Sequence, residues 1–226
     1  SRRQVARNAW NEREFQIQAC CVKKSAFYNR MCRKKGTSMK RVITITREFG
    51  SGGRTIAKEL ANRLGWEYYD YSLIAKIAAQ SGYAPEYIER HGEDITSWNM
   101  WNMGFFSLSD SLFLAQRKVI LDLAEKGNCV IVGRCADYIL EDRTDVLNVF
   151  IYADEAWKKD RIKTIYGENE KDFDRRFKEK NKKRASYYKY YTGHSWGRAW
   201  YYDLCLKTSS LGIEETVNIL QSVIVS

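Results

Sequence analysis

The chain predicts an α/β fold, a three-layer α/β/α sandwich built on a five-stranded parallel sheet. Three observations carry that expectation. Five short runs rich in β-branched or aromatic residues alternate with stretches of helical apolar period, the pattern of a parallel sheet covered by helices on both faces. Right-handed crossovers make the sandwich the economical topology. Polar groups follow directly on several of the runs, at the strand ends where open α/β sheets hold ligands.

The first run is Val42-Ile43-Thr44-Ile45-Thr46. Arg47-Glu48-Phe49-Gly50-Ser51-Gly52-Gly53-Arg54-Thr55 follows, and then a helical face of Ile56, Ala57, Leu60, Ala61 and Leu64 that stops at Gly65. Glu67-Tyr68-Tyr69-Asp70 reads as a short second strand ending in an acid. Helices are expected from about Ser72 to Gln80 and around Pro85 to Arg90, Pro85 being the single proline of the chain. The run from Trp98 to Phe106 is too aromatic for a solvated loop and has no clean period, so it is expected to pack under a small insert. A longer helix from about Ser109 to Lys126 ends at Gly127 and leads into a third strand, Cys129 to Val132. Gly133-Arg134-Cys135-Ala136-Asp137 closes that strand. A fourth strand, Val146 to Tyr152, ends at Ala153-Asp154; a fifth, Asp203 to Leu206, precedes a terminal helix from about Ile213 to Val223.

Strand, glycine cluster and helix in that order form a cradle for phosphate. Glycines let backbone N–H groups converge, and the helix N-terminus behind them adds roughly half a positive charge. Laid on G-x-x-x-x-G-K-[ST], the chain places Glu48 at the first glycine, Gly53 at the second, Arg54 at the lysine and Thr55 at the hydroxyl. Two of those positions depart from the pattern. Arginine can meet phosphate bidentately, with a geometry different from lysine's. The plain alternative is a turn that only joins strand to helix.

At 226 residues and 44% hydrophobic content, the chain can bury a full core. Its net charge of +10 is unevenly spread. Residues 1 to 38 hold ten Lys/Arg and two Glu, a net of +8, so residues 39 to 226 carry only +2. Within that body, Lys158 to Lys189 hold thirteen Lys/Arg and six Asp/Glu, a net of +7 that leaves about −5 elsewhere. Positive charge is thus gathered in one late segment, read as local phosphate chemistry or as a solvated helix face. No apolar run has bilayer-spanning length, so no membrane partner is expected. Six cysteines without a C-x-x-C pair and two distant histidines argue against a structural zinc site and fit reduced thiols in a cytoplasmic compartment.

The first 38 residues show no sustained period and no secretory apolar core. They are expected to be a basic extension, disordered or non-native, with Met39 opening the true domain. Arg33-Lys34-Lys35-Gly36 suits purine-rich codons just upstream of a start, which would make the extension a mis-assigned leader; an amphipathic targeting helix is the alternative.

From Met39 to the C-terminus the sequence resembles the cytidylate kinase-like family, relatives of bacterial CMP kinase among the P-loop nucleoside monophosphate kinases. The blocks that carry the resemblance are Ile45 to Arg54, Tyr69-Asp70, Val130 to Asp137, Arg184-Ala185-Ser186-Tyr187-Tyr188 and Tyr202-Asp203-Leu204. The resemblance implies a P-loop kinase core, an NMP-binding helical insert over about residues 71 to 106, and a mobile arginine-bearing lid over about 158 to 200. It implies ATP and Mg²⁺ as cofactors and a nucleoside monophosphate, CMP or dCMP above others, as acceptor. Gly50, Ser51, Gly52, Gly53, Arg54 and Thr55 would cradle ATP, with Thr55 offering its hydroxyl to Mg²⁺. Asp70 would stand near the acceptor. Arg134 matches the arginine of the family's Gly-Arg-Asp element and would hold the acceptor phosphate. Cys135 replaces that element's acid, for which Asp137 is the substitute at acceptor or metal unless it is only a helix-terminal acid. Arg176, Lys183 and above all Arg184 are the lid cations expected to join Arg54 and Arg134 in catalysis.

Other readings stay open. The acceptor can be another small molecule, since fold and cradle do not fix it. A nucleotide-responsive regulatory protein without turnover is a second class; there Glu48 would have to point away or pair with a cation such as Arg47. An RNA-binding module would use the basic arm and stack bases on Tyr187, Tyr188, Tyr190, Tyr191, Trp196, Trp200, Tyr201 and Tyr202. The near-neutral body makes nucleic acid the less favoured partner, and packing of those rings on the core the favoured one. The family resemblance implies that Lys207-Thr208-Ser209 would border the adenine. A homodimer stays open.

Overall fold

A computed structural model of the chain describes residues 39–80, 106–166 and 173–225. In chain order these form β1 (Val42–Arg47), α1 (Gly53–Leu64), β2 (Glu67–Tyr69), α2 (Tyr71–Gln80), α3 (Phe106–Lys126), β3 (Cys129–Val132) and a one-turn α4 (Ala136–Ile139). The second half adds β4 (Val146–Tyr152), α5 (Glu155–Tyr166), α6 (Phe173–Thr192), a 3-10 turn (Ala199–Tyr201), β5 (Leu204–Lys207) and α7 (Thr208–Val225).

All five strands join one sheet in the order β2-β3-β1-β4-β5. Every pairing is parallel, with Val42 beside Cys129 on one side and Val146 on the other. Alternation along the strands explains the three layers. On β1 and β3, Val42, Cys129 and Ile131 face a core with Ile74 of α2 and Leu112, Val119, Ile120 and Leu123 of α3. Their neighbours Ile43, Ile45, Val130 and Val132 face the opposite core, with Ile56 and Leu60 of α1 and Val217 and Leu220 of α7. Buried on both faces, the central strands read as continuous apolar runs. Thr44 and Thr46 of β1 and Asn148 of β4 are buried polar exceptions, and the Thr44 hydroxyl donates to Asn148 Oδ1 at 2.6 Å.

The chain leaves β1 toward β2 on one side and returns to β4 on the other, so the loop after β1 sits at the switch point of the sheet. The ends of β3 and β4 flank it.

Element bounds moved little from expectation. Helix α3 begins three residues early, at Phe106, and α7 takes one extra turn before a break at Gly212, whose φ of 77° is non-helical. The basic segment divides into α5 and α6. The helix expected near Pro85 to Arg90, the aromatic run before Phe106 and the first 38 residues lie outside the described residues. Among the described residues no helix is long and apolar enough to cross a membrane.

Candidate functional site

Helix α1 begins at Gly53, behind a left-handed Gly52, and no acid stands in its first turn. Its free N–H groups and dipole therefore point at the loop from Arg47 to Gly52 without an internal anion to neutralise them. Ser51 is buried, and its hydroxyl donates to the Glu48 carbonyl at 3.0 Å. The Thr208 hydroxyl, from the start of α7, donates to the Ser51 carbonyl at 2.8 Å, with the Tyr152 carbonyl at 3.1 Å. Lys207-Thr208-Ser209 is thereby brought against the cradle. Lys207 and the Ser209 hydroxyl both reach Asp154, at 2.9 and 3.0 Å.

Two cations from α5 close over this loop. Lys158 Nζ donates to Glu48 Oε2 at 2.8 Å, and the Ala153 N–H approaches the same oxygen at 3.4 Å. Glu48, the acid at the pattern's first glycine, is thus turned toward Lys158 and not toward Arg47. Lys158 also lies 4.1 Å from the centre of the Phe177 ring on α6. Arg161 Nη2 donates to the Thr55 hydroxyl at 2.8 Å, and its guanidinium rests near the ring of Trp157. Thr55 keeps a lone pair for a further partner.

Helix α6 clips the same loop. Asn181 Oδ1 accepts from the Phe49 N–H at 2.8 Å, and Arg184 Nη1 donates to the Arg47 carbonyl at 3.0 Å. Lys180 stands 4.6 Å from the Phe49 ring.

Beside the cradle, between the ends of β1 and β3, lies a cluster of arginines. Arg47 comes from the last position of β1, Arg134 from the turn after β3, and Arg184 from α6. Burial and then repulsion from Arg184 and Arg134 push the Arg47 guanidinium down from its ordinary value. Arg184 is pushed down by burial and by Arg134. Guanidinium holds its proton in proteins, so this cost stays in the fold as electrostatic strain that an anion relieves. Among the described residues no ion pair joins Arg47, Arg134 or Arg184 to a carboxylate. Arg134 is held by stacking, its guanidinium 3.4 Å from the centre of the Tyr71 ring and 5.0 Å from that of Tyr187. Three successive residues here are left-handed, Gly133, Arg134 and Cys135, with φ of 77°, 56° and 56°. The left-handed backbone at Gly133 favours glycine, and a Cβ there would also displace the guanidinium tip of Arg47.

Arg54 sits at the edge of this cluster, largely exposed, paired with Asp70 at 2.5 Å. Asp70 also accepts from the Ser72 hydroxyl at 2.7 Å and the Leu73 N–H at 3.2 Å, which caps α2. Burial pushes its carboxyl up, but the bonds from Ser72, Leu73 and Arg54 outweigh that and hold it below the usual range. The two residues expected on opposite substrates are therefore bonded to each other.

Asp137 is drawn inside the fold, 3% exposed. Its Oδ2 accepts from the Tyr188 hydroxyl at 2.6 Å and its Oδ1 faces the Thr46 hydroxyl at 3.4 Å. Burial raises its carboxyl above the ordinary range against those bonds. Lys183 is exposed and Arg176 half-buried on α6. Lys183 lies about 100° around the helix from Arg184, whose guanidinium turns inward to the Arg47 carbonyl.

Tyr187, Tyr188 and Tyr191 of α6 pack on the body, while Tyr190 is exposed. Tyr191 stacks on Phe113 of α3 at 4.0 Å, while Trp196 and Tyr202 meet Phe150 of β4 at 5.5 and 5.0 Å. Beneath them Gln116 is 1% exposed, and its Nε2 has no hydrogen-bond partner among the described residues. Its Oε1 faces the hydroxyl of Tyr187, the ring that also flanks Arg134.

Sequence reasoning missed Lys158, Arg161, Asn181 and Gln116, and gave Arg47 only a passing role. Arg161 had one usable signal, its place in the basic helix directly after β4.

The profile of the cytidylate kinase-like family matches residues 42–210, which span every element just described up to the start of α7. The chain belongs to that family. Membership makes it a P-loop kinase-type phosphotransferase by kind, with nucleotide binding as the family's common property. An uncharacterized protein from Eubacterium ventriosum ATCC 27560 is 28% identical, with a TM-score of 0.66, covering 83% of this chain and 99% of that one. The chain is also similar in fold to shikimate kinase from Bacteroides thetaiotaomicron, at 16% identity and a TM-score of 0.50 over 82% of this chain and 99% of that one. TT1252 from Thermus thermophilus is 15% identical, with a TM-score of 0.50 over 83% and 98% of the two chains. No curated protein matches the sequence.

Proposed function

We propose that this family member transfers the γ-phosphoryl group of ATP to a small phosphorylated acceptor, and that the acceptor is CMP or dCMP. The observation that carries the reading is the set of three arginines, Arg47, Arg134 and Arg184, gathered beside a glycine cradle with no ion pair to a carboxylate among the described residues. Such a set is stable in company with phosphate. Phosphoryl transfer spreads charge over the equatorial oxygens of the moving group, and positioned cations supply most of the catalysis. One cation about 4 Å from a phosphate oxygen contributes about 4 kcal/mol at an effective dielectric of 20.

The carboxylates favour a phosphate acceptor over an alcohol. A hydroxyl must lose a proton to attack, which calls for a base; a phosphate oxygen is already ionised at neutral pH. Among the described residues the acids near the cluster are engaged, Glu48 by Lys158, Asp70 by Arg54 and Asp137 by Tyr188. The orphaned Gln116 amide fits an acceptor that offers a hydrogen-bond-accepting atom, such as the O2 or N3 of cytosine.

The donor set fits Mg-ATP. The α1 N-terminus and Gly50 to Gly53 would receive the phosphates, with Arg161 and Lys207 on the same edge. Mg²⁺ keeps most of its waters and phosphate oxygens as ligands, so a single protein oxygen suffices, and the Thr55 hydroxyl would supply it. Bound there, the ion would neutralise charge on the β- and γ-phosphates. Arg134 and Arg184 orient the acceptor phosphate, and α6 excludes water through Asn181 and its packed tyrosines. Residues 39 to 226 act as the kinase domain in this reading, without nucleic acid or membrane as partner.

A second reading, nucleotide binding without turnover, is favoured by the burial of Asp137 and the engagement of Arg54 with Asp70. Steady-state ADP formation from Mg-ATP with CMP or dCMP separates the two. Turnover supports the kinase; ATP binding with no turnover on any acceptor supports the regulator.

A further inference from the structure

The phosphate pattern can be laid on this chain one residue earlier, with Gly52 as its second glycine. Arg47 then stands at the first glycine, Gly53 at the lysine and Arg54 at the hydroxyl position. Helix α1 supports that register, because Gly52 is the left-handed residue before the helix and Gly53 its first helical residue. In the other register both departures and the matching hydroxyl are occupied elsewhere, Glu48 by Lys158, Arg54 by Asp70 and Thr55 by Arg161. That register leaves the pattern's own cation, Arg54, bonded to Asp70.

The space around Gly53 identifies the replacement. Its backbone is helical, so a side chain is not excluded by conformation. It is excluded by Arg47: a Cβ at position 53 would lie 2.6 Å from Arg47 Cβ and 2.9 Å from Arg47 Cγ, inside any allowed contact. The stem of Arg47 fills the place where the pattern's lysine would begin. Its guanidinium runs on to Gly133, into the field of Arg134 and Arg184.

We infer that Arg47 and Gly53 are a compensated exchange, in which the arginine at the pattern's first glycine supplies the phosphate-binding cation that the glycine at its lysine position has given up. The inference rests on the kinase reading for the presence of phosphate and adds the residue that holds it. It also explains why neither departure can occur alone. A lysine at 53 has no room while Arg47 is present, and a glycine at 47 leaves the pattern without the cation of its lysine position.

The test is titration calorimetry of the full chain with inorganic tripolyphosphate and with ATP, for wild type, Arg47→Gly, Gly53→Lys, the double variant Arg47→Gly/Gly53→Lys, and Arg47→Lys. Loss of one charged hydrogen-bonding partner weakens binding about 50-fold. Arg47→Gly is expected to show that loss, and Gly53→Lys to unfold at lower temperature without tighter binding. The double variant, which restores the ordinary pattern, is expected to regain binding to within about fivefold of wild type, and Arg47→Lys to keep most of it. Thermal unfolding of each variant separates lost binding from lost structure. Wild-type binding with a double variant as weak as Arg47→Gly, or an Arg47→Gly variant that binds normally, overturns the exchange and leaves the kinase reading intact. A folded wild type that binds neither tripolyphosphate nor ATP removes both.

Discussion

Lys158→Met should destabilise the protein by about 3 kcal/mol and weaken phosphate binding at the same time. The Lys158 side chain is 4% exposed and its partner Glu48 25%, at 2.8 Å. At an effective dielectric of 20 the pair attracts by about 6 kcal/mol, most of which only offsets the loss of hydration on both groups. Breaking a buried pair costs about 3–5 kcal/mol because one charge stays behind, and the partial exposure of Glu48 places this case at the lower end. For a chain of this size that corresponds to a fall in Tm of about 6–12 °C. The stranded carboxylate would also face the cradle and repel the ATP phosphates. Glu48→Gln alone should cost less, and the double variant should recover much of the loss, giving a coupling energy of about 2 kcal/mol. Urea unfolding of the four proteins measures it, together with ATP titration. A coupling below about 0.5 kcal/mol would mean that Glu48 and Lys158 do not depend on each other, and the account of how the cradle tolerates an acid would fail.

Arg184→Ala and Arg134→Ala should each lower kcat/KM by about 10²- to 10⁴-fold while changing Tm little, since each also removes repulsion within the cluster; steady-state kinetics beside thermal unfolding checks both. Asp137 has a raised folded pKa, so its contribution is most favourable below the unfolded carboxylate range near 4 and is lost as pH rises through the folded value. Asp137→Asn should therefore gain stability relative to wild type as pH rises above the unfolded carboxylate range, read by denaturant unfolding across pH. Asp70 has a lowered folded pKa and behaves oppositely: the stability it adds is present above that range and lost as pH falls, so Asp70→Asn should flatten the acid limb of the same profile. Gln116→Leu removes an unpartnered buried amide, and thermal unfolding should find it neutral to slightly more stable, with KM for the acceptor raised about tenfold.

The sheet was legible because its central strands are buried on both faces. Val42 to Thr46, Cys129 to Val132 and Val146 to Tyr152 stand out as apolar runs bounded by Gly, Asp or Arg, and the structure pairs all three. Short β2 and β5 were legible from their neighbours more than from their own residues. The cradle was visible for the same local reason, a glycine cluster between a strand and a helix. What holds it was not. Lys158 to Glu48, Arg161 to Thr55 and Asn181 to Phe49 join positions more than 100 residues apart, and no local pattern sets the pitch at which α5 and α6 cross the loop. Composition drew attention to the segment that holds Lys158, Arg161 and Arg184, but not to Arg47 and Arg134, which lie outside it. It could not say that Arg184, rather than Lys183 beside it, faces inward, because in a helix with charges on every side the apolar stripe is too weak to fix its rotation. Asp137 was read from its neighbours in sequence, whereas its environment is set by Tyr188, 51 residues later.

The central claim is turnover on a phosphorylated nucleoside, and it is tested most directly by ADP release from Mg-ATP by the full chain across ribo- and deoxyribonucleoside monophosphates, with shikimate as an alcohol acceptor and Arg184→Ala as the control. The account predicts turnover selective for CMP or dCMP and lost in the control. Turnover on the alcohol alone, or ATP binding with no turnover on any monophosphate, would contradict it.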